Sequence, residues 1–183
     1  MMPLLLRWLS LLNAALWWGG ATFFTFVVAP GVFSPQMRRL FSAPFSVGYI
    51  AQTLLERFFF FSCCCGFVGL LLAVAQWGLL GRKFGKCSWG LLTGLLAFYI
   101  ASELWLFPMM RNLHETKYFG RSAPERQRAA RSFGAWHGVS QLGNLAALVG
   151  LTFYLRSLAR PRGTEPAHPQ ENPNQNPQLT NRP

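Results

Sequence analysis

The residues able to do chemistry in this sequence are few, and the densest set opens an apolar stretch in its last third. His137, Ser140, Gln141 and Asn144 fall at i, i+3, i+4 and i+7. On a helix that spacing puts all four side chains on one face. The imidazole there suits proton carriage or metal ligation. The same face could instead be glue, because amides and hydroxyls bond across helices in lipid. A second set starts at Glu103, the one acid well inside an apolar block, and continues with Arg111 and His114 on about the same helical face. A carboxylate buried among lipid tails would cost at least ~2.5 kcal/mol, so Glu103 should face other helices or lie near the headgroups. The set reads as a proton- or cation-handling cluster, or as an interfacial ion pair.

A third set is Asn13, Trp17, Gly19, Gly20, Thr22 and Thr25. Adjacent glycines let helices approach closely, and the same gap could admit a small or flat ligand. Helix packing is the expected role of Asn13, Trp17, Gly19, Gly20, Pro108 and Gly138. Cys63, Cys64 and Cys65 are consecutive, with Cys87 beyond. Thiolates favour Cu(I), but neighbouring helical side chains point apart and no Cys-x-x-Cys or Met-x-x-Met accompanies them. Met109 and Met110 beside His114 are the other soft atoms. No nucleophile elbow, phosphate loop, zinc-protease helix or carboxylate pair is present, so no motif argues for an enzyme. Metal and cofactor are left open by the residues.

The elements that must position these groups are apolar blocks. About 20 apolar helical residues cross a hydrocarbon core of about 30 Å, and four stretches qualify, at about residues 8–30, 58–80, 88–107 and 138–155. The first comes after Arg7, as a signal peptide would. It is too long and lacks a small-x-small cleavage site, so it reads as a retained helix. The fold expected is all-α: an integral-membrane four-helix bundle over residues 1–160, with amphipathic connecting helices and a disordered Pro/Asn/Gln-rich tail over 161–183. GRKFGKC, residues 81–87, forces a hairpin between the second and third spans. Pro35 and Pro44 break the first connection, and the stretch after Pro44 extends span two outward. The third connection, residues 108–137, contains Ser122, Pro124 and Glu125, which together spell a capping box. The helix it opens runs on into span four.

Only 13% of residues are charged, against about 25% in soluble domains. The net charge is +11, and all six acids are glutamates. The basic residues flank apolar spans, which points to anionic headgroups of the lipid bilayer as partner rather than nucleic acid. The basic residues of the 81–87 loop and of the RSLARPR exit sit closest to helix ends, which favours both termini in the cytoplasm of a multi-pass protein of a plasma or inner membrane.

Three segments carry a resemblance: LWWGGATFFTFVVAPGVF in span one, ELWLFPMMRNL at the end of span three, and FGAWHGVSQLGN entering span four. Through them the chain resembles, over about residues 8–158, the four-helix membrane family typified by transmembrane protein 205, a domain of unknown function. The resemblance implies that His137, Gly138, Ser140 and Asn144 are the pattern residues, with Trp17, Gly19 and Pro108 beside them. Span one also resembles the short WxGG…F…P opening of copper resistance protein D and of related haem-linked membrane oxidases. Only His114 and His137 could serve as ligands there, and neither lies deep in a span. Three readings are open. One is a non-enzymatic membrane protein serving small-solute or metal tolerance, or assembly with a membrane-protein partner or a second copy. The second is a copper handler, and the third a haem-linked oxidoreductase.

Overall fold

In hydrocarbon a backbone N–H or C=O has no partner but its own helix, and the chain is built accordingly. The computed structural model describes residues 2–41, 43–81 and 85–160. The expected disordered tail over 161–183 and residues 82–84 of the basic 81–87 loop lie outside the described residues. Among the described residues five helices follow in chain order: α1 (Met2–Val32), α2 (Pro35–Leu40), α3 (Pro44–Leu80), α4 (Lys86–Phe119) and α5 (Ala123–Ala159). All but α2 are long and apolar enough to cross a membrane, so the fold is that of a multi-pass integral membrane protein. They stand in a ring, with α1 and α4 each packed between α3 and α5.

The helices outrun the apolar blocks read from the sequence. The 37 residues of α3 span about 55 Å at 1.5 Å per residue, against a core of about 30 Å. The excess of α3, α4 and α5 all falls at the end away from the chain termini, where α2 also lies. Local signals set these ends. Ser34 accepts the Met37 N–H at 3.4 Å to open α2, with Pro35 in the first turn. The expected capping box opens α5: Glu125 N–H donates to Ser122 Oγ at 3.3 Å, and Glu125 Oε2 accepts from the N–H groups of Arg121 and Ser122. Gly81, at φ 59°, ends α3 in the left-handed conformation that glycine adopts at no steric cost.

At Pro108 the fold differs from the sequence reading. Pro108 is expected to start a connection, yet α4 runs through it to Phe119. A proline lacks the N–H for the bond four residues back, and its ring presses on that carbonyl. The chain absorbs this with a wide π turn at Ser102–Leu106, closed by Phe107 N–H bonding Ser102 O. The same device recurs in α1, where the π turn Phe24–Val28, closed by Ala29 N–H to Phe24 O, stands two residues before Pro30.

The interior holds Trp17, Tyr99, Leu92, Leu151 and Tyr154, all fully buried. Trp17 packs on Tyr99 with ring centroids 5.7 Å apart, and Tyr99 meets Phe58 at 5.9 Å. Large apolar residues such as Trp8, Phe60, Leu71 and Leu142 face outward, as lipid contact requires. Polar side chains within the spans tie the helices together. Asn13 Nδ2 donates to Cys65 O at 2.9 Å, Gln76 Nε2 to Ser10 Oγ at 2.6 Å, and Trp18 Nε1 to Thr152 Oγ1 at 2.9 Å.

Candidate functional site

Where α3, α4 and α5 project past the apolar blocks, they part around a cavity of about 610 Å³. The end of α1 supplies Phe24, Val28, Ala29 and Val32, and α2 supplies Arg38. From α3 come Val47, Gly48, Ala51, Gln52 and Leu55; from α4, Phe107, Met110, His114, Lys117 and Tyr118; from α5, Phe133, His137 and Gln141. A deeper cavity of about 60 Å³ adjoins it, sharing Phe24, Ala29, Leu55, Phe107, Met110, His137 and Gln141, and adding Ser140, Asn144, Thr25 and Ser102. The four-residue stripe of α5 therefore lines the cavity walls as a unit. Both π turns also border this space, through Phe24, Thr25, Ser102 and Leu106. A π turn inside an α-helix is often found at a functional site.

His114 is buried in the wall of the site, 3% exposed. Its ring meets Tyr118 at 5.0 Å, Tyr49 at 5.3 Å and Phe133 at 5.7 Å. Gly48 makes this possible, since a Cβ there would collide with His114 Nε2 and lie 2.7 Å from Cε1. Phe133 also stacks on His137, at 5.9 Å and 6° between planes. His114 Nδ1 and Gln52 Nε2 are buried without a hydrogen-bond partner among the described residues. Lys117 Nζ lies 4.9 Å from the Tyr118 ring centre and 5.5 Å from that of Phe133, within cation–π range. Arg38 is exposed at the edge. Among the described residues, none that lines the cavity is acidic.

The second set read from the sequence does not stay together. Arg111 turns to Glu115, Nε to Oε1 at 3.3 Å on the exposed face, rather than to Glu103. Glu103 lies in the π turn, with Oε2 buried and without a partner among the described residues, and does not line the cavity. The extra residue in that turn shifts Glu103 out of ideal helical phase with Arg111 and His114, which both follow it in regular helix. In the third set, Asn13, Trp17 and Thr25 point inward, and Thr25 Oγ1 accepts from Asn144 Nδ2 at 2.7 Å. A Cβ on Gly20 would press on Phe61, whereas a Cβ on Gly19 or Gly138 would meet nothing within 4 Å among the described residues. Pro108 is exposed and acts through the π turn. Of the three consecutive cysteines, Cys63 is half-buried, Cys64 exposed and Cys65 buried, so they do not converge.

The sequence reading does not single out Arg38, Gly48, Gln52, Lys117, Tyr118 or Phe133. One signal is there: His114, Lys117 and Tyr118 fall at i, i+3 and i+4, which is a helical face.

The fold and this site together define a class: a multi-pass membrane protein whose spans open, at one end of the bundle, into a cavity with aromatic and basic walls. The chain belongs to the family described as a domain of unknown function (DUF4149), whose model matches residues 12–118. That segment holds α1 from Leu12 onward, α2, α3 and α4 as far as Tyr118, and so every cavity residue except those of α5. No match was found among curated proteins or among solved structures.

Proposed function

We propose that this is a non-enzymatic integral membrane protein of the kind typified by transmembrane protein 205, taking a small solute into the cavity between its helices and serving tolerance to that solute. The supporting observation is the cavity of about 610 Å³, which falls within the 300–1,000 Å³ range of small-molecule sites. Its wall is mostly apolar, with polar groups from α2, α3, α4 and α5 turned to it. With both termini in the cytoplasm, the cavity opens on the opposite side, within the headgroup layer.

The test is the reach of a small water-soluble thiol reagent in a background without native cysteines. Met110 is buried yet lines both cavities. Met110→Cys should react quickly from the non-cytoplasmic side of sealed vesicles, and slowly once Ala51→Trp fills the space. Reaction no faster than at position 65, buried away from the cavity, would sink the proposal.

Copper handling has one observation in its favour: His114, His137 and Met110 wall the same space. The donor set fits poorly, because no three His, Cys, Asp or Glu side chains stand together among the described residues. Stoichiometric copper retained through dialysis, and lost in His114→Ala, would establish it against this expectation.

A further inference from the structure

We infer that the cavity takes an amphiphile with one anionic head and a single apolar chain or compact ring body; this rests on the solute-binding reading above. Charge gives the sign. Lys117 and Arg38 border the cavity, and among the described residues no carboxylate does. Among the described residues the ion pair present is Arg111 with Glu115, so neither cavity cation has a protein counter-charge. Lys117 is half-buried over two aromatic rings. A partly desolvated cation without a counter-charge is unfavourable, and an anionic ligand head supplies one.

Hydrogen bonding points the same way. Gln52 Nε2 and His114 Nδ1 border the same space, buried and without a hydrogen-bond partner among the described residues. An amide N–H is a donor only, and an imidazole nitrogen donates in one of its tautomers. A carboxylate or phosphate head accepts from such groups. The rest of the wall sets the other half of the ligand. Phe24, Val28, Val32, Leu55, Phe107 and Met110 form a continuous apolar lining that offers a head nothing and a hydrocarbon chain everything. The position fits too, because the cavity sits where the helices leave the apolar blocks. There a head can stay near water while its chain stays out of it.

The experiment uses the full chain in nanodiscs of neutral phosphatidylcholine, with empty nanodiscs as background. Labelled oleate is compared with methyl oleate and oleylamine, which share its chain but carry a neutral or cationic head. Oleate should bind saturably and at least roughly tenfold more tightly than either, as expected for a hydrogen-bonded charged contact. Lys117→Gln should weaken oleate roughly tenfold while Lys117→Arg retains it; Arg38→Gln, on the exposed edge, should weaken it less. Octanoate, which arrives from water, separates the two sources: competition by octanoate at matched occupancy indicates a ligand drawn from solution, and its failure beside tight oleate binding indicates one drawn from the bilayer. Both results support the anionic amphiphile.

Equal binding of the three heads, or an unchanged Lys117→Gln, overturns the anionic assignment. The cavity reading then stands if Ala51→Trp, or Gln52→Phe as a second filler, still abolishes binding. Oleate binding that survives both fillers overturns the cavity as its site. No saturable oleate binding overturns the inference and leaves the cavity to the Met110→Cys result.

Discussion

Gly48→Ala isolates the contact on which the site's architecture turns. Gly48 sits inside α3, where alanine is ordinarily better than glycine by about 1 kcal/mol. Against that gain stands a collision, because all three atoms nearest a Cβ at position 48 belong to the His114 ring. The ring cannot step aside freely, being enclosed by Tyr49, Tyr118 and Phe133. Overpacking of this kind costs about 1–3 kcal/mol, so Gly48→Ala alone should range from neutral to about 2 kcal/mol destabilising. The sharper quantity is the coupling with His114→Ala. Once the imidazole is gone the collision is gone, and Gly48→Ala should become stabilising by up to about 1 kcal/mol. A double-mutant cycle, measured by unfolding in mixed detergent micelles, should therefore show coupling of about 1–3 kcal/mol. Additivity to within about 0.5 kcal/mol would refute the argument that Gly48 exists to seat His114.

Two further expectations concern single hydrogen bonds. Asn144→Leu removes the 2.7 Å bond to Thr25 that joins α5 to α1; it should lower stability in the same unfolding assay by about 0.6–1.7 kcal/mol, the range for interhelical bonds in membranes, and should lose most of that effect in a Thr25→Val background. Ser122→Ala removes the acceptor for Glu125 N–H at the start of α5. It should cost about 1 kcal/mol and show first as faster amide exchange over residues 123–126, with the transmembrane part of α5 unchanged.

The apolar blocks are enough to read an all-α bundle with four spans, because in lipid the period of the pattern matters less than its length. The capping box at Ser122 and the outward run of α3 after Pro44 are legible for the same local reasons that form them. So is the stripe of His137, Ser140, Gln141 and Asn144, whose side chains keep a regular helical phase along α5 and meet one cavity wall. The misleading feature is a change of phase. The π turn at Ser102–Leu106 inserts a residue's worth of rotation, so the even spacing that groups Glu103 with Arg111 and His114 does not hold in space. Pro108 misleads as a terminus for the same reason, since the wide turn lets α4 continue. Lys117, Gln52 and Gly48 lie in stretches that read as connections or outward extensions, and nothing local says that three helix ends and α2 will gather around one space. The aromatic enclosure of His114 is a tertiary fact, drawn from α3, α4 and α5.

The most direct test of the account is whether the stripe of α5 faces α1 across the bundle interior. In a background free of native cysteines, Thr25→Cys combined with Asn144→Cys should form an intramolecular disulfide on mild oxidation in membranes, because the native side chains already touch at 2.7 Å. Thr25→Cys with Leu142→Cys should not, since Leu142 faces outward and is 70% exposed. Efficient bridging through position 142, or only dimers between chains through position 144, would contradict the inward-facing stripe and the cavity it lines.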